Sequence, residues 1–185
     1  MRKSLYAKIA LCVCFLLTHP VSAADISPMT EPSEPTKAQT VDYILARIND
    51  VNLGGGTSWV RTSSKTVKLM VKHLQQASID DCLLTIHETR YENDVLMLEK
   101  TMTVPLSRLN PATVGADDRS VYLVSVNDGA FVEQSVTSRQ NAKIQPVDHQ
   151  MTAEMPVYFA MGQGEKLARA FAHLIKLCGG HKDLF

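Results

Sequence analysis

The stretch GEKLARAFAHLIKLCGG near the C terminus places the firmest limit on what this chain can become. Leu167, Phe171, Leu174, Ile175 and Cys178 recur at intervals that bring them to one side of an α-helix. Glu165 falls in the first turn, Lys176 in the last and Gly179 just past the end, so charge placement and a glycine cap agree with the apolar pattern. Such a helix has to bury its apolar side, and the stretches ahead of it read as β-strands. Cys82 stands at the head of one of them and is the only cysteine besides Cys178 outside the N-terminal apolar segment. A Cys82–Cys178 bridge from sheet to helix is the natural inference, closing a loop of about 95 residues and contributing up to roughly 4 kcal/mol.

A bridge needs an oxidising compartment, and the start of the chain points to one. Arg2, Lys3 and Lys8 precede an apolar run from Ile9 to Leu17; Pro20 then breaks it, and Ser22, Ala23 and Ala24 are small. Residues 1–23 read as a secretory signal peptide cleaved after Ala23 or Ala24, with a periplasmic or secreted product. The run is far short of the roughly 20 apolar residues that cross a bilayer, and no later stretch approaches that length, so no integral membrane anchor is expected. Leu11 and Val13 precede Cys12 and Cys14 where lipoprotein processing needs a small residue, which argues against a lipidated cysteine. Both cysteines leave with the signal, and the remaining two are expected to pair.

Three of the 19 Lys and Arg lie in the signal and none of the 19 Asp and Glu does, so the mature net charge is about −3. That balance offers no reason to expect nucleic acid as partner. The 185 residues suffice for one domain with a sizeable core.

Residues 24–39 are rich in proline, glutamate and hydroxyl side chains and read as a flexible tether; residues 40–185 read as a single α+β domain. Val41, Ile44, Leu45 and Ile48 form the apolar side of a short N-terminal helix, with Thr36 and Gln39 at capping-box spacing or Thr40 as a simple cap. Asn49 to Gly56 ends that helix, and the sheet is expected to start around Thr57 to Arg61. Val67 to Leu74 fits either strand or helix spacing, and its β-branched content favours strand. Cys82 to Arg90 and Val95 to Val104 flank Tyr91-Glu92-Asn93-Asp94 as a hairpin. Pro105 begins a connection. Ser120 to Val126 and Ala130 to Val136 flank Asn127-Asp128-Gly129, which predicts a second hairpin. MPVYFAM is a last strand before the final helix.

The fold class is therefore α+β: an antiparallel sheet or small barrel of about six to seven strands packed by a C-terminal helix, with a short N-terminal helix. Strands followed by a C-terminal amphipathic helix resemble the plan of pleckstrin-homology-like domains, a likeness of topology over about Thr57 to Cys178. An open-sheet α+β fold is the alternative.

No residue pattern announces chemistry. His73, His87, His149, His173 and His181 show none of the short fixed intervals of zinc ligands, so no metal is assigned. Asp80-Asp81 reads as turn chemistry, and Asp117-Asp118-Arg119 as a solvated loop with local charge pairing. Gly54-Gly55-Gly56 follows a helix and precedes a strand, the reverse of a phosphate loop, and reads as a flexible connection. No Gly-x-Ser-x-Gly elbow occurs, and no catalytic residue or cofactor is assigned.

Lys65, Lys68, Lys72 and His73 form the one noticeable basic cluster, a lysine-protected sheet edge or a contact for an acidic partner. Trp59 is read first as core and second as a contact anchor. Trp59, Lys65, Lys68 and Lys72 are thus the candidate partner contacts. The function expected is an exported noncatalytic binding protein of the cell envelope that recognises a protein or small apolar ligand. The alternatives are a structural subunit of an envelope assembly and a small hydrolase with a site built from dispersed residues.

Overall fold

The computed structural model describes residues 34–49, 51–61, 65–140 and 143–181, so the expected signal peptide and most of the expected tether lie outside the described residues. Helix α1 (Lys37–Ile48) starts where Thr36 and Gln39 satisfy each other: the Gln39 N–H donates to Thr36 Oγ1 at 3.3 Å and the Thr36 N–H to Gln39 Oε1 at 2.9 Å. Lys37, Ala38 and Gln39 therefore belong to the helix and not to a tether ending at 39. Ile44 and Ile48 are fully buried, with Val41 and Leu45 packed against the same core.

Four long strands follow as an antiparallel meander: β1 (Val51–Arg61), β2 (Thr66–Asp80), β3 (Leu83–Glu92) and β4 (Val95–Pro105). The loops Asp81-Cys82 and Asn93-Asp94 join β2 to β3 and β3 to β4, with φ of 40° and 63° in the first and 49° and 63° in the second. Left-handed backbone at both loop positions matches the twist of the flanking strands. Residues 67–74 are strand, held between β1 and β3. The sheet begins at Val51 and not near Thr57. Gly54, Gly55 and Gly56 pair with His73, Lys72 and Val71, so the glycine run is strand and not a loose connection. The low strand propensity of glycine is outweighed here by a continuous ladder to β2.

Six short strands and the last helix complete the chain: β5 (Gly115–Ala116), β6 (Ser120–Val124), β7 (Val132–Gln140), β8 (Lys143–Ile144), β9 (Asp148–Thr152), β10 (Glu154–Tyr158) and α2 (Gly164–Leu177). A seven-stranded antiparallel sheet has the order β1-β2-β3-β4-β7-β8 with β9 also on β7, and a smaller sheet has the order β10-β6-β5. The large sheet stays open with β1 at one end. No closed barrel forms, so the likeness to pleckstrin-homology-like domains extends only to strands followed by a helix.

The second expected hairpin does not form. Asn127 and Asp128 do take left-handed backbone, at φ 52° and 51°, but the turn passes the chain from β6 in the small sheet to β7 in the large one. β7 pairs with β4 from Thr103↔Glu133 to Leu98↔Ser138, while β6 pairs with β10. A local turn signal sets a turn and leaves the partner strand to tertiary packing. β10 tolerates Pro156 because it is an edge strand.

Helix α2 buries Leu167, Phe171, Leu174 and Ile175 mainly against α1, β5, β6 and the short 3-10 turn Leu106–Arg108, not across the long meander. Its end has a glycine cap: Gly179 has φ 83°, its N–H reaches Lys176 O at 3.0 Å, and the Gly180 N–H reaches Ile175 O at 2.8 Å. Cys178 stands at disulfide distance from Cys82, Sγ–Sγ 2.01 Å and Cα–Cα 5.7 Å, across a sequence separation of 96. Cys82 is the second residue of the β2–β3 turn and does not begin the strand itself.

On the large sheet the buried apolar residues are Leu84, Ile86, Met102, Val104 and Val132, all toward one end of their strands. From Glu88 outward to the Asn93-Asp94 turn, β3 has no fully buried apolar side chain. The described sheet thus has a packed half and an outer half that projects beyond the helices.

Candidate partner-binding edge and cleft

β1 pairs with β2 on one side and has no strand on the other among the described residues. Pairing brings Trp59 opposite Lys68, Thr57 opposite Met70 and Gly55 opposite Lys72, all on one face of the sheet. Trp59 is 69% exposed, which overturns its reading as core. The strand is at the sheet's edge, outside the half that the helices cover, so no apolar layer reaches the indole. The structure therefore juxtaposes Trp59, Lys68 and Lys72, with Met70 between the lysines at 45% exposure and Tyr91 across from Lys72. Lys65 is exposed just ahead of Thr66, which pairs with Arg61. Three of the four candidate contacts share one face, with Lys65 beside them in sequence.

At the root of β1 the chain forms an open cleft of about 830 Å³. Leu53, Gly54 and Gly55 form one wall, Arg47 comes from the last turn of α1, and Arg119 and Tyr158 come from the side of the small sheet. Arg47 is held in place: its guanidinium lies 3.5 Å from the centroid of the Tyr43 ring, and Nη1 donates to Tyr43 O at 2.8 Å. Its Nε is shielded from solvent without a hydrogen-bond partner. Neither Arg47 nor Arg119 forms an ion pair with a described carboxylate, and among the described residues no Asp or Glu lines the cleft. Burial, then the negative charge of Glu88, pushes the Tyr158 phenol up from its ordinary value.

The expected local pairing of Arg119 is not formed. Asp117 instead accepts the N–H groups of Arg119 and Ser120 at 2.7 and 2.6 Å and the Tyr122 hydroxyl at 2.6 Å, leaving the Arg119 guanidinium to the cleft. Sequence reasoning missed both arginines. Arg47 carried one signal, its position four residues after a tyrosine on a helix; Arg119 carried none, because its neighbouring aspartates suggested partners that the backbone takes.

The dispersed-site alternative has two constellations to offer. His73 Nε2 lies 3.6 Å from Glu88 Oε2, beyond hydrogen-bond length, on the inner face. His87 lies between the Thr101 hydroxyl, 3.1 Å from Nδ1, and Glu99, 3.4 Å from Nε2, on the opposite face of β3 and β4. A hydroxyl, an imidazole and a carboxylate in line suggest nucleophile chemistry. Here they lie between central strands whose N–H groups are committed to ladders on both sides of β3, so these strands offer no free donor pair to an oxyanion. Asp80 and Asp81 sit at the β2–β3 turn, as turn chemistry requires. No group of three His, Cys, Asp or Glu able to hold a metal occurs among the described residues. No described helix is long and apolar enough to cross a membrane.

Compared with protein-family models, curated proteins and solved structures, the chain shows no match to any.

Proposed function

We propose that this chain is an exported, noncatalytic binding protein of the cell envelope that recognises an extended, acidic segment of a protein partner along β1 and β2. The observation that carries the reading is the edge strand: Trp59 is exposed beside Lys68 and Lys72 on a half of the sheet that no described helix covers. A strand edge with no described strand beyond it offers backbone groups to an extended segment, an aromatic supplies contact area at low entropic cost, and lysines favour a negatively charged partner. The basic N-terminal segment followed by an apolar run, together with Cys82 and Cys178 at bonding distance, supports export.

Photo-crosslinking in the envelope tests this. A photoreactive aromatic in place of Trp59 should give a discrete protein adduct that is absent when the same group replaces Leu177, an exposed residue of α2. Lys68→Glu with Lys72→Glu should remove the adduct at low salt and leave folding unchanged. Equal adducts from both positions, or an adduct indifferent to the lysines, would refute the assignment.

A further inference from the structure

We infer that the cleft at the root of β1 is a carboxylate-binding site that receives the acidic end of the bound segment; this rests on the strand-binding reading above. Charge is the first argument. Arg47 and Arg119 come from separate elements to one cleft, neither has a described carboxylate partner, and no acidic side chain among the described residues lines the walls. An arginine offers a planar fork matched to a carboxylate, and Arg47 is already fixed by its stacking on Tyr43 and its bond to Tyr43 O, so little ordering remains to be done on binding.

The glycine run is the second argument and is independent of charge. A Cβ built on Gly54, which lines the cleft, meets no atom within 4 Å, and this residue does not have positive φ. Neither packing within the chain nor backbone conformation therefore calls for glycine, although glycine weakens a strand. What its absence of side chain does is leave the wall of the cleft bare where another backbone can approach closely. The wall belongs to the same strand whose outer part carries Trp59. A segment lying along β1 would thus bring one end to the two arginines.

A carboxylate of this kind comes either from a chain terminus or from an aspartate or glutamate side chain. Two random short-peptide libraries separate the sources: one immobilised by the N terminus with free C-terminal carboxylates, the other immobilised by the C terminus as amides. Binding only in the first assigns a chain end; binding in both, with acidic residues enriched, assigns a side chain. Either result supports the site when Arg119→Gln, Arg47→Gln and Gly54→Leu each weaken the selected peptides by about tenfold or more, with the arginine effects reduced by salt. Arg119 is exposed and Gly54 has open space above it, so these two variants keep the test valid should Arg47→Gln disturb α1. Peptides that bind all three variants as well as the original protein would overturn the inference. If Trp59→Ala weakens those same peptides, the strand-binding reading survives without it. Absence of binders from both libraries also overturns the carboxylate site, and the Trp59 crosslink then decides the broader reading on its own.

Discussion

At residue 75 a buried amide joins three elements. Gln75 Nε2 donates to Ile48 O at 2.8 Å and to Tyr158 O at 2.9 Å, and its Oε1 accepts the Tyr158 N–H at 3.0 Å, so β2, the end of α1 and β10 meet on one side chain. Gln75→Leu keeps the volume and leaves these backbone groups without partners; it should lower unfolding stability by about 3 kcal/mol in urea denaturation, and a loss below about 1 kcal/mol would contradict the bridging role. Asp117 marks a second polar junction. The Tyr122 hydroxyl, then the N–H groups of Arg119 and Ser120, hold its carboxyl well below the ordinary carboxylate range. A carboxylate depressed by folding adds stability that is complete above its unfolded pKa of about 4 and is lost as pH falls through the lower folded value. The 117–120 turn should therefore hold in mildly acidic solution and loosen only in strong acid. A carboxyl NMR titration of Asp117 with its midpoint near about 4 would refute this.

Among the elements, α2 depends most on what holds it. Its apolar side meets α1 and the small sheet, while Cys178 at its end reaches the β2–β3 turn through Cys82. Linking the last helix to a turn 96 residues earlier restricts the unfolded chain and opposes fraying of the C terminus. Cys178→Ser should lower stability by roughly 2–4 kcal/mol. Free thiols at both positions in protein trapped with an alkylating agent directly from cells would remove the basis for this expectation and leave docking to Leu167, Phe171, Leu174 and Ile175. The element most altered relative to the sequence reading is β1. Its glycines and its single tryptophan suggested a connection leading to a core strand, whereas the ladder to β2 makes the stretch an edge strand, exposed at Gly54 to Thr57 and at Trp59.

Across the molecule, stability should follow the division of the large sheet. Leu84 and Ile86 are fully buried on β3, whereas Arg90 is exposed and Tyr91 and Glu92 are only partly covered. Hydrogen exchange should be slowest at the amides of Leu84 to Ile86 and faster from Arg90 to Glu92, because local opening of the outer half exposes little apolar surface. Uniform protection along β3 would mean that the outer half is stabilised by contacts beyond those described. A bound partner segment on β1 should slow exchange in that outer half first.

The α+β class, the two helices with their caps, the strand content of the first half and the cysteine pairing were legible in the chain itself. Each depends on local periodicity or on a small count: apolar residues at helical spacing, Thr36 and Gln39 at capping distance, alternation along Leu83 to Val104, and two cysteines to pair. The β3–β4 hairpin across Asn93-Asp94 was legible too, but which of the later strands share a sheet was not. Asn127-Asp128-Gly129 makes the expected turn, yet the destination of β7 was set by β4, a strand distant in sequence. The candidate site divides the same way. Lys68, Lys72 and Trp59 could be singled out by residue type, but their common face follows from the register of β1 on β2, and a one-residue shift would have turned Trp59 to the other side. Arg47 and Arg119 are far apart in sequence and meet at a cleft only because α1, β1 and the small sheet converge there. Local sequence determines backbone preference and amphipathic faces through short-range sterics and solvation; partner strands and converging charges depend on long-range packing, which no local pattern encodes.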